Sequence, residues 1–517
     1  LSAGGGLLKT ESYRSGIALS VGFSLLAKLI ALASSLVLAA LFGTSAEMDV
    51  YLYVFFAAAL VTTFISSLNS AVIIPEAMRL AGQESEGASR SFLNFFLYAY
   101  AALGVALSAV FLTGPEAAFG AVSRFSPELL AANAGLLYAA LPLFPLILVS
   151  NYLVEVLASR KFFTVPMLAS MFNNAVVLVF VLAAYRRFGV MSALLGLCTA
   201  YAAQVLALLL FMRARLGWEF SSAARPSRRV LGNALFAQLG NLATAVSAYV
   251  PMFLLSGLDR GTVSAMNYGR QAAEFPHNFI TQQFASVAGI KLNELSARGL
   301  PGEAARIVVS SMKGLLFVLV PAALFGAAYS GEIIRALFGR GAFGAESVET
   351  AAAFFRLFAL LLPFYAVNSL VTKLFLAAQK VREAFWFQLA MNLLLAGLIV
   401  VFVGRFGALG YPAGLLVFSV LVFLASGALC ARYFPEVRYR ETAAYFAGLA
   451  VLDAGVLLAV HWAFRRLCPG LPLTGAALAA AAYFGLLAWA SLRLEVNEDF
   501  RRAWELLKGK LSGTLPA

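Results

Sequence analysis

Fourteen apolar runs, each of membrane-crossing length and separated by short charged or Pro/Gly-rich breaks, constrain this chain more than any other feature. They fall near 16–42, 50–74, 92–113, 129–157, 163–185, 190–212, 230–256, 262–290, 308–329, 347–378, 384–403, 408–431, 442–464 and 473–492. An α-helix rises about 1.5 Å per residue, so about 20 apolar residues cross a hydrocarbon layer. Inside that layer every backbone polar group must be paired within the protein, which leaves only helices and closed barrels. Long apolar runs without strand-like alternation exclude the barrel. Composition agrees: the chain is 62% hydrophobic and 12% charged, against about 25% charged in soluble domains. The sequence predicts an all-α polytopic membrane protein with about 14 transmembrane helices.

The net charge of +13 would suggest nucleic acid in a soluble chain. In a membrane protein it marks the cytoplasmic loops instead. With the N-terminus inside, 25 of the 38 Lys and Arg residues fall in loops and ends on the cytoplasmic side and 9 on the other. Both termini are therefore expected in the cytoplasm. The remaining four, Lys28, Arg270, Arg356 and Lys373, lie within helices. Cys198, Cys430 and Cys468 are scattered and suggest neither a disulfide framework nor a metal site. The opening Leu-Ser-Ala-Gly-Gly-Gly is not a signal peptide and reads as a remnant of processing or expression.

An internal repeat organises the helices. A shift of 218 residues brings Pro145 onto Pro363, Asn174 onto Asn392, Gly196 onto Gly414, and Arg187-Phe-Gly189 onto Arg405-Phe-Gly407. Nearer the start, Leu25–Leu29 resembles Leu235–Leu239 at a shift of 210. Six helices per copy is an even number, so both copies enter the membrane in the same direction. The expected organisation is an N-lobe at 1–213, a basic cytoplasmic linker at 214–229, a C-lobe at 230–433, two further helices at 434–494 and a basic tail at 495–517.

Ionisable residues within membrane helices are costly, so they face a polar cavity or a partner helix. Arg270, Glu274 and His277 recur at i, i+4 and i+7, which places them on one helical stripe. Lys28 poses the same problem in the first helix. One expectation is that Lys28 and Arg270 face a single central cationic cavity; the other is that Arg270 pairs with Glu274 one turn on. The repeat puts Glu155 on Lys373, where opposite charges would form a bridge in one state or snorkel to the interface. Asp453 and His461 lie two turns apart on one face, as a proton relay or as packing residues. His277 follows Pro276, where the helix is expected to kink.

Several stretches resemble the MurJ/MviN lipid II flippases of the multidrug/oligosaccharidyl-lipid/polysaccharide exporter superfamily. They are Leu41-Phe-Gly-Thr-Ser-Ala-Glu-Met-Asp49, Tyr268 to Pro276, Leu337-Phe-Gly-Arg-Gly-Ala-Phe343, Lys373, and Ala482-Tyr-Phe484 with the basic tail after it. The resemblance implies a two-lobe flippase whose basic cavity holds a lipid diphosphate, with helices thirteen and fourteen forming a groove for the polyprenyl tail. Lys28 matches a family arginine. The chain departs from the family at Ser34-Ser35, at Thr62-Thr63, and at Gln271, where the family's arginine aligns beside Arg270.

Cations in a cavity lower the cost of moving a diphosphate through the membrane by charge-assisted hydrogen bonds to its oxygens. Lys28 and Arg270 are the candidate binding residues; Asp49, Glu155, Glu274, Arg356 and Lys373 are the candidate cavity or gating residues. No Gly-rich phosphate loop, metal-ligand cluster or nucleophile elbow occurs. The expected activity is therefore transport rather than catalysis, without a cofactor, drawing on an ion gradient or the membrane potential. The expected substrate is an undecaprenyl-diphosphate-linked saccharide, moved from the cytoplasmic to the outer leaflet of a bacterial inner membrane by alternating access. Lipid II, an exopolysaccharide unit and an O-antigen unit all satisfy that description, and cell-wall or polysaccharide synthases would be partners. The rival readings are a multidrug extruder, which would favour acidic cavity residues and twelve helices, and a non-transporting cell-wall scaffold.

Overall fold

A computed structural model describes residues 13–162, 164–221, 223–378, 381–467 and 472–493. The opening glycine-rich segment, Lys380, Cys468 and the basic tail lie outside them. Among the described residues there is no strand, and two compact units can be distinguished. The first holds the chain as far as Ala265 together with Arg340–Ser347 and Ile399–Ala408; the second holds Met266–Gly339, Val348–Leu398 and the chain from Leu409 onward.

The first unit contains α1 (Tyr13–Phe42), α2 (Ala46–Leu68), α3 (Ile74–Gln83), α4 (Glu86–Leu112) and the short α5 (Pro115–Val122) and α6 (Pro127–Ala132). It continues through α7 (Ala134–Ala140), α8 (Leu143–Ser159), α9 (Thr164–Phe188), α10 (Met191–Leu216) and α11 (Arg228–Leu255). Lipid is as apolar as leucine, so close packing rather than hydrophobic transfer holds such helices together. Gly104 of α4 shows this: a Cβ there would lie 2.3 Å from Cα of Pro145 on α8. α1 runs along α9, and α11 runs along α2. The chain between α10 and α11 is docked on α4. Trp218 is buried and donates from Nε1 to Asn94 at 2.8 Å, with the Arg90 and Arg160 guanidinium groups over its ring at 5.6 and 5.8 Å.

The second unit is built on α12 (Thr262–Pro276), α13 (Gln282–Ala297), α14 (Pro301–Ala328), α15 (Ser330–Phe338) and α16 (Ala345–Ala359). These are followed by α17 (Leu362–Ala377), α18 (Val381–Phe406), α19 (Gly410–Tyr433), α20 (Tyr439–Leu467) and α21 (Pro472–Arg493). α12 and α16 each begin in the first unit and continue into the second. One buried cluster joins α13, α14, α17, α19 and α20 through Leu292, Leu316, Leu370, Cys430 and Leu449. Another joins α14, α20 and α21 through Phe325, Leu457, Tyr483 and Leu487.

The fourteen expected passes all correspond to described helices. Among the described residues, nine helical stretches are long and apolar enough to cross a membrane, or ten with the bent pair α16–α17. One of the nine, Phe385–Tyr433, covers both α18 and α19. The remaining passes are α1, α11 and the succession α12–α13. Two passes differ from the uninterrupted helices expected. The fourth is divided into α6, α7 and α8 by breaks at Asn133 and at Leu141-Pro142. The tenth bends by 42° between Ala359 and Leu362, just before Pro363. Proline lacks an N–H and its ring collides with the carbonyl four residues back, so continuous α geometry fails there.

The repeat is visible in the backbone. α9 ends at Phe188 and α18 at Phe406, and each is followed by a left-handed glycine, Gly189 at φ +55° and Gly407 at φ +60°. The second helix of each copy carries a widened π-turn, Asn69–Ile73 between α2 and α3 and His277–Thr281 between α12 and α13. Both turns adjoin a proline, Pro75 and Pro276. At Pro276, where the sequence predicts a kink, the helix passes into this widened turn.

Candidate functional site

Three stretches far apart in sequence meet beside the end of α1. Ala342 donates its N–H to the Ala40 carbonyl at 2.8 Å, and the hydroxyls of Thr44 and Ser347 lie 2.7 Å apart. Gly43 and Gly341 sit at φ +59° and +62°. A Cβ on Gly341 would stand 2.1 Å from the Ala40 oxygen, and one on Gly43 would stand 2.4 Å from the Ala342 oxygen. Both positions thus require glycine for backbone sign and for closeness. The motifs at 41–49 and 337–343, separate in the sequence, form one junction.

Asp49 completes the junction. It lies in the first turn of α2, 2% exposed, after Ser45 has already capped that helix through Met48 N. Its carboxylate therefore serves another helix: Oδ2 accepts from Gly261 N at 2.6 Å and Oδ1 from Ser264 N at 2.7 Å. These are open N–H groups at the start of α12, where the helix dipole also favours a negative charge. Such a cap is worth about 1–2 kcal/mol.

In the second unit the expected stripe does occupy one face of α12 and the turn after it. Arg270 hydrogen-bonds the Tyr411 side chain of α19 and stands beside Glu274 and Tyr365. The His277 ring lies 5.0 Å from that of Tyr365 on α17. Gln271, by contrast, is exposed.

In the first unit Glu155 of α8 accepts hydrogen bonds from Ser66 and from Asn69 at the π-turn. Tyr100 donates to Asn69 Oδ1 at 2.6 Å, and the Tyr100 and Tyr152 rings meet edge-on at 5.1 Å. Lys28 is half-buried on α1. Ser34 and Ser35 are both 7% exposed, and the Ser34 hydroxyl donates to the Asn174 carbonyl of α9 at 3.4 Å. Thr62 and Thr63 donate back into their own helix, to Ala58 and Ala59. Of the departures from the family pattern, Ser34, Thr62 and Thr63 are thus small side chains satisfied on the backbone.

Lys373 of α17 is exposed, with its stem against Gly289 of α13, and Arg356 of α16 is exposed and donates to Ser330 at 3.3 Å. Lys28 belongs to the first unit and Arg270 to the second. His461 meets the Tyr329 hydroxyl at 3.4 Å. Asp453 lies two turns earlier on α20 with Leu457 between them. Sequence reasoning missed the Tyr411 and Tyr365 partners of Arg270, because nothing local ties a residue on α12 to tyrosines more than ninety positions away. It also missed the capping role of Asp49, although the two left-handed glycines nearby were a signal of a tight backbone junction.

The family model described as "Lipid II flippase MurJ" matches residues 38–469. A probable lipid II flippase MurJ of Thermotoga maritima is 25% identical over 403 residues, covering 77% of this chain and 81% of that protein. A second, from Bdellovibrio bacteriovorus, is 24% identical over 248 residues, covering 46% and 47%. Among solved structures, a lipid II flippase MurJ in an inward closed conformation superposes with a TM-score of 0.76 at 16% identity, covering 93% of this chain and 99% of that one. An inward-facing multidrug resistance MATE transporter of the MOP superfamily reaches 0.60 at 16% identity, covering 80% and 98%. A match across residues 38–469, which include the Asp49 junction and the Arg270 stripe, places this multi-pass membrane protein in the lipid II flippase MurJ family.

Proposed function

We propose that this chain moves lipid II, or a closely related polyprenyl-diphosphate-linked saccharide, from the cytoplasmic to the outer leaflet of a bacterial inner membrane by alternating access. The family match across residues 38–469 carries this reading. In it, both termini are cytoplasmic and Lys28 supplies a charge-assisted hydrogen bond to the diphosphate as the headgroup leaves water. Arg270, held by Glu274 and Tyr411, contributes positive potential rather than a free donor. Asp49 and the glycine junction close the outer end of α1 and α2. Glu155, Lys373 and Arg356 serve the opening and closing of the two halves, and an ion gradient or the membrane potential drives the cycle. Cell-wall synthases would take up the product.

The test is flipping of fluorescent lipid II by purified protein in liposomes, read by accessibility of the label at the opposite leaflet. Protein-dependent flipping that falls in Lys28→Ala supports the reading, and its absence with active lipid II flippase controls overturns it. Uncharged Ser34-Ser35 and Thr62-Thr63, where the family carries charges, favour one second reading, an exopolysaccharide or O-antigen unit on the same diphosphate carrier. Flipping of that carrier with a different saccharide, and not of lipid II, would establish it.

A further inference from the structure

The α20–α21 contact holds a buried carboxyl group, Asp453, apart from the Asp49 junction and the Arg270 stripe. Asp453 is 1% exposed, and both its side-chain oxygens are buried without a hydrogen-bond partner among the described residues. Within electrostatic reach of it stands the Tyr483 hydroxyl of α21, fully buried and itself without a hydrogen-bond partner among the described residues. Around them lie Leu457, Phe325, Ala479 and Leu487. An ionised carboxylate in such surroundings, with no cation and no donor fixed to it among the described residues, carries a desolvation cost of several kcal/mol.

The charged and titratable groups on the packed elements do not relieve it. From α14, the Lys313 ammonium is engaged over the Tyr445 ring at 5.8 Å, about two turns from Asp453 along α20. Beyond α14, the Tyr329 hydroxyl is taken by His461 at 3.4 Å, about two turns away in the other direction. α19 brings Cys430 to Tyr439, about four turns from Asp453. From α21 there are Tyr483 and, about three turns beyond it, Arg493, whose guanidinium lies over the Trp489 ring at 5.8 Å. A metal cation would need several oxygen ligands, and among the described residues no group of three or more His, Cys, Asp or Glu residues assembles here or elsewhere. A proton needs only the carboxyl group itself.

We propose that Asp453 is a proton-binding site: in this packing of α20 on α21 it is held as the neutral acid, with Tyr483 beside it, and loss of the proton loosens the contact. The step balances simply, since the carboxylate oxygen takes up one proton from water as the O–H forms and returns it when the bond breaks. The neutral form fits the apolar contact and the charged form is driven towards water. The α20–α21 packing is therefore favoured at low pH and weakens as the pH rises through the point where Asp453 gives up its proton. The site is independent of which saccharide the protein carries.

The experiment is infrared difference spectroscopy of the full chain in lipid bilayers over a pH series, with Asp453→Asn and Asp453→Glu beside the parent. A carbonyl band of a protonated acid should be present at neutral pH, disappear as the pH is raised, be lost in Asp453→Asn and shift in frequency in Asp453→Glu. Spin labels on exposed Leu458 and Leu478, substituted by Cys, should separate with rising pH in the parent and hold one distance in Asp453→Asn. An unchanged band in Asp453→Asn, or no such band in the parent, overturns the proposal. A band that titrates while the spin-label distance stays fixed at every pH also overturns it, because Asp453 would then be a packing residue only. If Asp453→Asn does not insert, the band shift in Asp453→Glu and the parent titration decide by themselves.

Discussion

The carboxylate of Asp49 holds the backbone N–H of Ser264, 215 positions further along the chain, at 2.7 Å. Its other oxygen holds Gly261 N, so one side chain from the start of α2 caps the start of α12. Replacing it with Ala leaves two buried N–H groups without an acceptor. Asp49→Ala should lower stability by about 2 kcal/mol or more. Asp49→Asn keeps one acceptor oxygen and should lose about half as much. Thermal unfolding in detergent, with proteolysis of the Gly257–Gly261 segment as a local reporter, checks both; equal stability of all three proteins would count against the cap.

At Gly341 the left-handed backbone and the 2.1 Å approach of the Ala40 oxygen act together. Gly341→Ala should destabilise by about 1–3 kcal/mol. The loss should be much smaller for Gly344→Ala, where nothing lies within 4 Å of a built Cβ. The same unfolding measurement on the two variants separates local strain from a general intolerance of the loop.

Arg270 and Glu274 should be coupled. Arg270→Ala leaves the Glu274 carboxylate half-buried with its cation gone, a change of about 3–5 kcal/mol. Adding Glu274→Gln to Arg270→Ala should recover most of that loss. A double-mutant cycle on unfolding free energy reports the coupling. Additive effects would show that the two side chains act separately and that Arg270 is available to substrate.

For Lys28 the expected pattern is chemical rather than structural. Lys28→Ala should abolish most of the complementation of a flippase-depleted strain while the protein still inserts at normal abundance. Lys28→Arg should retain much of it, since phosphate accepts either donor. Full activity of Lys28→Ala would remove it from the transport path.

The orientation can be read chemically too. Arg225 is exposed on the segment between α10 and α11. A single cysteine there should react with membrane-impermeant maleimide only after cells are opened, and reaction in intact cells would invert the topology.

What was legible in the sequence follows from the range of the forces involved. Apolar runs and charge bias are local, and they predicted fourteen helical passes. The repeat was legible because Gly189 and Gly407 are both forced into the left-handed region, which leaves the same residue type at the same offset. The stripe of Arg270, Glu274 and His277 was legible because helical periodicity alone aligns them. Its partners Tyr411 and Tyr365 were not, since they arrive from other helices. Asp49 stood in the sequence as one acidic residue near a helix start, the commonest place for one. Its use by a different helix follows from Ser45 having taken the local cap, and only the tertiary structure shows that. The fourth and tenth passes were read as unbroken because hydropathy does not register the backbone geometry of Pro142, Pro145 and Pro363.

The widened turn at His277–Thr281 holds one residue more than the α-helical turns on either side would use. One residue is about 100° of helical phase. The buried face of α13, formed by Ala285, Ala288, Leu292 and Leu295, is therefore set by that extra residue. Deleting a single position within the turn would leave the composition and length of the pass nearly unchanged. It would also rotate this face by more than a quarter turn relative to Arg270 and Glu274. The matching turn at Asn69–Ile73 fixes the phase of α3 relative to α2 in the same way. Each half of the molecule thus keeps its two ends in step by an offset written into the backbone, which substitution of side chains alone would not reset.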